Sequence, residues 1–346
     1  MRKSWLSICV LLPVTLFAET HTVTAKSYFR TFSRAYPVLA RIKPGDVVVT
    51  KTLDAGGVDD KNEIRAESGN PLTGPFFIEG AEPGDALVVR FRKIRMNRSW
   101  GYSGFRLGLF ALTPDYVENV YPARYEGPAW EFLRKTHPEI ARARSARHVP
   151  WDLDRERNLV RLREPNSQRI KLEFPAKPML GCVGVAPAGE FAPTSGPAGS
   201  YGGNMDYNEV REGATVILPV YHSGGLLYIG DGHALQGDGE PTGNGIETSM
   251  DVEFSVEVHK NSRLSGPRVE TAEHIISVGA QAEFQSSLDR ALQLATVDMV
   301  RWLTDEYKLE PWAAHLLIAY QGRYDVITVA GSMGLKIEKR LLPAPQ

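Results

Sequence analysis

Between Gly199 and Glu247 the chain carries a cluster of residues that can move a proton or hold a cation, among them Asp206, Asp231, His233, Asp238, Glu240 and Glu247. They lie in two stretches, GSYGGNMDYNEV and GDGHALQGDGEPTGNGIE, among glycines that let a backbone bend sharply and approach a ligand closely. Carboxylates on such loops with one imidazole suit an oxygen-preferring metal site. Acids this dense repel one another, so a cation or distance must resolve them. The same residues also read as turn formers, because Asp-Gly is a common hairpin turn. The spacing matches no His-Glu-x-x-His, EF-hand or paired Cys-x-x-Cys pattern.

Other chemistries find less support. No Gly-x-Ser-x-Gly elbow occurs. Thr194-Ser195-Gly196 reads as a turn in a proline-rich loop, and Cys182 in LGCVGV reads as a buried structural thiol. His222, His274 and His315 are scattered and read as structural. Asp54, in a glycine-rich turn after a strand (LDAGG), could reach the acidic cluster.

The elements that must position these residues are mostly strands. Glycine (32) and proline (23) are dense enough to imply many turns between short strands. Pro44-Gly45-Asp46 and Pro83-Gly84-Asp85 each lead into a β-branched run, Val47-Val48-Val49 and Leu87-Val88-Val89. Apolar runs at Thr215 to Val220 and Leu226 to Ile229 are bounded by glycines. Met250 to His259 alternates, with Val252, Phe254, Val256 and Val258 on one face. Leu288, Leu292, Ala295, Met299 and Leu303 predict an amphipathic helix over about Glu283 to Tyr307. A second helix is expected over Pro311 to Tyr320, with proline at its start, then a strand at Val326 to Val329. Trp130 to Ala146 reads as a short helix interrupted near Pro138, and the basic run Arg142, Arg144, Arg147 as a solvated face. The expected organisation is a β-rich part (19–118), a covering excursion (119–170), a second β-rich part with the site (171–282) and an α+β portion (283–346).

Residues 1–18, MRKSWLSICVLLPVTLFA, have a basic start, an apolar run from Trp5 to Phe17 and a small residue at the end. That is the pattern of a secretory signal peptide, too short to span a bilayer comfortably. Export to the periplasm or medium is therefore expected, with no membrane attachment after cleavage. Cleavage after Ala18 removes Arg2, Lys3 and Cys9, leaving Cys182 alone and unable to form an intrachain disulfide. The formal charge of −1, from 40 basic and 41 acidic residues, gives no general attraction for nucleic acid.

NPLTGPFFIEGAEPGDAL (70–87), GGNMD (202–206) and GDGHALQGDGE (230–240) together resemble the signature segments of the acetamidase/formamidase family, in the same order and spacing. The resemblance runs from about residue 44 to 340. It implies a hydrolase of short linear amides that releases ammonia. It also implies a mainly β architecture of barrel-like and sandwich-like units with a smaller α+β C-terminal portion, a homodimer or higher oligomer, and a divalent metal, zinc or calcium. On this basis Asp206, Asp231, His233 and Asp54 are expected to bind metal. Glu240 and Asp238 are expected to be catalytic, and Asn204 and Gln236 to orient the amide. The competing reading from another class is a secreted, non-catalytic β-sandwich that binds calcium or a sugar on the same loops.

Overall fold

The computed structural model describes residues 18–107, 111–113, 148–281 and 287–344. The expected helix at Trp130 to Ala146 lies outside the described residues. In chain order the strands are β1 (Thr20–Thr22), β2 (Ala40–Ile42), β3 (Val47–Thr52), β4 (Leu72–Ile78), β5 (Ala86–Met96), β6 (Trp100–Gly104), β7 (His148–Asp154), β8 (Leu159–Leu162), β9 (Glu173–Pro175) and β10 (Met179–Val185). They continue with β11 (Ala198–Gly199), β12 (Gly202–Asn204), β13 (Thr215–Pro219), β14 (Leu227–His233), β15 (Met250–His259), β16 (Arg268–Glu270) and β17 (His274–Gly279). Helices α1 (Leu288–Asp305) and α2 (Pro311–Gln321) follow, then the hairpin β18 (Arg323–Thr328) and β19 (Ser332–Glu338).

Among the described residues these strands form three sheets. A nine-stranded sheet runs β1-β3-β15-β5-β13-β16-β17-β19-β18, a six-stranded sheet β11-β12-β10-β14-β4-β2, and a four-stranded sheet β6-β7-β8-β9. The mainly β architecture with a helical portion near the C-terminus is the one the sequence implies. Sequence segments interleave, however: β3 and β5 from the N-terminal part flank β15 from the later part. The small sheet likewise joins β6 to β7–β9, across the expected edge of the excursion.

Alternation explains how the large sheet packs. Val252, Phe254 and Val256 of β15 are buried on one face, as their period of two requires. A bulge between Glu253 and Phe254 shifts the register against β5. Phe254 meets Phe76 of the six-stranded sheet edge-on, with ring centroids 5.3 Å apart, so the main core lies between these two sheets. A second core lies under the helices, where Met299, Trp302 and Leu303 of α1 pack with Ile275, Leu335 and Ile337. Helix α1 begins at Ser287, whose hydroxyl accepts from the Arg290 N–H, and α2 begins at Pro311.

Strands β10 and β14 form the centre of the six-stranded sheet and are buried along their whole length. Strand β14 runs two turns of alternation further than its apolar segment, through Gly230-Asp231-Gly232-His233. The Asp-Gly pair that reads as a hairpin turn is thus a buried strand, carrying its acid and imidazole into the interior.

Candidate metal centre

Asp231 and His233 sit two residues apart on β14, so they leave the strand on the same side. Antiparallel β10 runs beside them, pairing Leu180 with Gly232 and Cys182 with Gly230. Gly181 lies between. A Cβ there would stand 2.3 Å from Asp206 Oδ1 and 2.5 Å from Asp231 Oδ2. The absent side chain is what lets two carboxylates meet over the strand. Beyond β12 the chain turns at Asp206, and a second loop returns through Glu240 to Glu247, which bridges back to His233. Asp206, Asp231 and Glu240 all have positive φ (49°, 56° and 42°), a conformation unfavourable for side chains other than glycine. Three strained acids in one place mark where the fold places function above local comfort.

Two groups of side chains converge. Asp231, His233 and Glu247 bring one oxygen or nitrogen each within 4.8 Å of one another, and so do Asp206, His233 and Glu240. His233 belongs to both. It is fully buried, and Asp231 and Glu247 are each 2% exposed. Its Nε2 lies 3.2 Å from Glu247 Oε1 and 3.5 Å from Asp231 Oδ1, yet makes an aligned hydrogen bond with neither. Asp206 Oδ1, Asp231 Oδ1 and Glu247 Oε2 are also buried without a hydrogen-bond partner. Each such atom costs about 1–3 kcal/mol when left unsatisfied. Four of them sit on residues of the two groups that share His233. A divalent cation at either group would meet the His233 nitrogen and carboxylate oxygens that lack partners, so the donor set fits a metal.

The electrostatics agree. Burial drives the Asp206 carboxyl well above its usual range, with Glu240 and Asp231 adding to the rise. Burial pushes Glu240 up to about 8 and Glu247 to about 7; His233 pulls both back and Asp231 pushes both further. For His233, burial alone favours the neutral ring, but the anions Glu247 and Asp231 outweigh it and raise the pKa well above the usual value. The cluster therefore demands positive charge, as protons or as a cation.

Supporting residues fix the geometry. Gln236 Nε2 donates to the Asp206 carbonyl at 2.5 Å, which turns its Oε1 toward His233 Nδ1 at 2.7 Å. Nδ1 then carries a hydrogen in either charge state, and Nε2 faces the acids, able to ligate a cation once it gives up its own proton. Asn204 Nδ2 donates to Asp206 Oδ2 at 2.6 Å, while its Oδ1 accepts from the Cys182 thiol at 2.8 Å. Asn70, at the start of the 70–87 segment, donates to Asp231 Oδ2 at 3.2 Å and lines an outer cleft of about 590 Å³ with Phe29 and Tyr36.

The structure thus brings together Asp206, Asp231, His233, Glu240 and Glu247 from the residues singled out in the sequence. It does not bring Asp54 into either group. Asp54 is fully buried, Arg98 Nη2 donates to its Oδ2 at 2.6 Å, and its Oδ1 accepts from the backbone of Gly56 and Val58. Its charge is met by a guanidinium, which places it outside the ligand set. Asp238 is exposed and accepts from Asn208, away from the convergence of acids. Gln236 and Asn204 hydrogen-bond with their amides to His233, Asp206 and Cys182 and fix the orientation of these side chains. Cys182 is buried, and burial, followed by the charges of Asp231 and Asp206, raises its pKa well above the usual thiol value. Glu247, named in the acidic cluster of the sequence, has no individual assignment there, and Asn70 has no role at all. Glu247 stands in the GNGIE run, and Asn70 opens the first signature segment, the only signals either one gives.

Buried carboxylates and an imidazole thus converge on paired glycine-rich strands inside a three-sheet β fold. The Acetamidase/Formamidase family model matches residues 20–195 and 188–279, and the chain belongs to that family. A putative formamidase from Schizosaccharomyces pombe is 28% identical over 260 residues, covering 65% of this chain and 62% of the relative. A formamidase from Methylophilus methylotrophus is 27% identical over 248 residues, covering 60% and 57%. The chain thus spans about three fifths of the length of the curated relatives it matches. The crystal structure of an acetamidase from Yersinia enterocolitica superposes with a TM-score of 0.74 at 27% identity, covering 94% of each chain.

Proposed function

We propose that this protein hydrolyses short linear amides of the formamide and acetamide type, releasing ammonia, at a divalent metal held by Asp206, Asp231, His233 and Glu247. The observation that carries the reading is the set of four buried polar atoms without hydrogen-bond partners, Asp206 Oδ1, Asp231 Oδ1, His233 Nε2 and Glu247 Oε2, on residues of the two groups that share His233. Membership of the family and likeness to the Yersinia enterocolitica acetamidase support the reaction class. An imidazole at the heart of the donor set favours a borderline ion such as zinc over calcium, which takes oxygen ligands.

An unactivated amide resists water because resonance blunts its carbonyl carbon. A bound divalent ion supplies Lewis acidity toward the carbonyl and lowers the pKa of a nearby water. The protein's residues do the rest. Gln236 holds His233 in the tautomer that presents Nε2. Asn204 and Asn70 orient the outer oxygens of Asp206 and Asp231. Glu240, whose carboxyl is poised near neutrality, takes a proton from the attacking water and returns it to the leaving nitrogen. Substrate approaches from the cleft bordered by Asn70, Phe29 and Tyr36.

The same reading has the chain exported, processed after Ala18 and assembled as a homodimer. The family match begins at residue 20, directly after the leader-like segment. The test is an ammonia assay on a panel of short amides with purified protein, before and after chelation. Ammonia release should vanish on chelation and return with Zn²⁺ more fully than with Ca²⁺. Metal-loaded protein that releases ammonia from no amide in the panel would end the proposal.

A further inference from the structure

We propose that removal of the leader after Ala18 creates a second cation site, at the new N-terminus, built from the Glu19 amine and carboxylate, His21 and Asp46 and suited to Cu²⁺ or Ni²⁺. The inference rests on the processing reading above but not on the amidase reading, and it shares no residue with the centre around His233.

Asp46 ends the turn Pro44-Gly45-Asp46 at the head of β3 and is only 5% exposed. Strand β1 lies parallel to β3, with Thr20 beside Val47 and His21 beside Val48. That register puts the backbone nitrogen of Glu19 2.9 Å from Asp46 Oδ1. His21, two residues on, returns to the same side of the strand, and its Nε2 stands 2.8 Å from Asp46 Oδ2. One carboxylate therefore gathers both the position-19 nitrogen and the imidazole. The Glu19 side chain joins them, and the ligand atoms of Glu19, His21 and Asp46 all lie within 4.8 Å of one another.

In the precursor the position-19 nitrogen is an amide. It can donate to Asp46, but while it keeps its proton its lone pair is delocalised and it is a far weaker ligand than an amine. Hydrolysis of the Ala18–Glu19 bond adds water: the hydroxyl goes to the Ala18 carboxyl, and the proton to Glu19 nitrogen, which becomes an amine. That amine, once it gives up its proton, is a strong nitrogen donor already in place. The mature site then offers an amine nitrogen, an imidazole nitrogen and two carboxylates. Mixed nitrogen and oxygen donors of this kind select late first-row ions such as Cu²⁺ and Ni²⁺ over Mg²⁺ or Ca²⁺. The Glu19-Thr20-His21 order spaces amine and imidazole so that one short stretch of chain can supply both.

The test uses the full mature chain, its N-terminus established by mass spectrometry, with the main centre first filled with Zn²⁺. Cu²⁺ is titrated and followed by elemental analysis and by electron paramagnetic resonance. The mature chain should take one Cu²⁺ with nitrogen hyperfine structure. His21→Ala should weaken that binding by at least about 100-fold. A chain extended by Thr15 to Ala18 ahead of Glu19 keeps every side chain and should weaken it comparably. Equal Cu²⁺ affinity in all three chains, no Cu²⁺ bound by the mature chain, or a natural N-terminus other than Glu19 would overturn the proposal. Ammonia release should be the same in all three, which separates this outcome from a failure of the amidase reading.

Discussion

Two of the places in this protein that bury charge do so differently. Under α1, Asp298 accepts from Arg268 Nε at 2.8 Å and Nη2 at 3.2 Å, and Ser265 donates to it as well. Arg268 also donates to Glu306 and lies over the Trp302 ring at 4.4 Å. In this pair each charge is answered by a protein group, so it ties the helix to β16. At His233 the surrounding acids have no such answer, and four polar atoms are left over. Buried charge in itself therefore does not mark function. Buried charge that the protein leaves unbalanced does.

The contrast yields measurements in order of expected size. Asp298→Ala leaves Arg268 buried without its main partner and should cost about 3–5 kcal/mol in denaturant unfolding, with amide hydrolysis unaffected in whatever fraction stays folded. Asp231→Asn should act in the opposite sense on the metal-free protein. It removes a repelling anion and should raise stability by about 1–3 kcal/mol, while ammonia release falls by more than about 100-fold. A loss of metal-free stability in that variant would mean that Asp231 is balanced by the protein after all. Gln236→Leu, which frees the His233 tautomer, should weaken metal affinity by about 10–100-fold and leave the maximal rate at saturating metal less affected.

A smaller effect separates a satisfied acid from the centre by pH. Burial tends to raise the Asp85 pKa, but Lys260 and the backbone N–H groups of Glu82 and Asn261 lower it more, leaving it below the usual carboxylate value. A depressed folded pKa stabilises the protein above the unfolded value, near about 3.9, and that stabilisation is lost as pH falls through the folded value. The stability difference between wild type and Asp85→Asn should be constant from about pH 6 to 8, at no more than about 1 kcal/mol, and should shrink toward zero in acid. A difference that grows on acidification would reverse the assignment.

Much of this contrast was legible in the sequence. The period of two in Met250–His259 and the helical stripe of α1 depend on local patterning against a core, and both elements formed where the pattern lies. The two Pro-Gly-Asp turns likewise precede β3 and β5. Gly230-Asp231-Gly232-His233 was misleading because a turn and a close-packed central strand use the same glycines. What decides is whether another chain, here Gly181 of β10, lies close by. Asp54 was misleading for a similar reason. Its turn would suit a ligand, and only Arg98, 44 residues away, shows that it is already balanced. Glu247 reaches His233 through a single bridge between distant segments, a contact that no short motif encodes.

The decisive experiment is zinc content per chain after exposure to Zn²⁺ and exhaustive dialysis, for the wild type and for Asp231→Asn. The cluster described here requires about one tightly held ion in the wild type and none in the variant. A wild-type chain that retains no zinc, or a variant that retains as much, would mean that the unbalanced acids around His233 do not hold a metal.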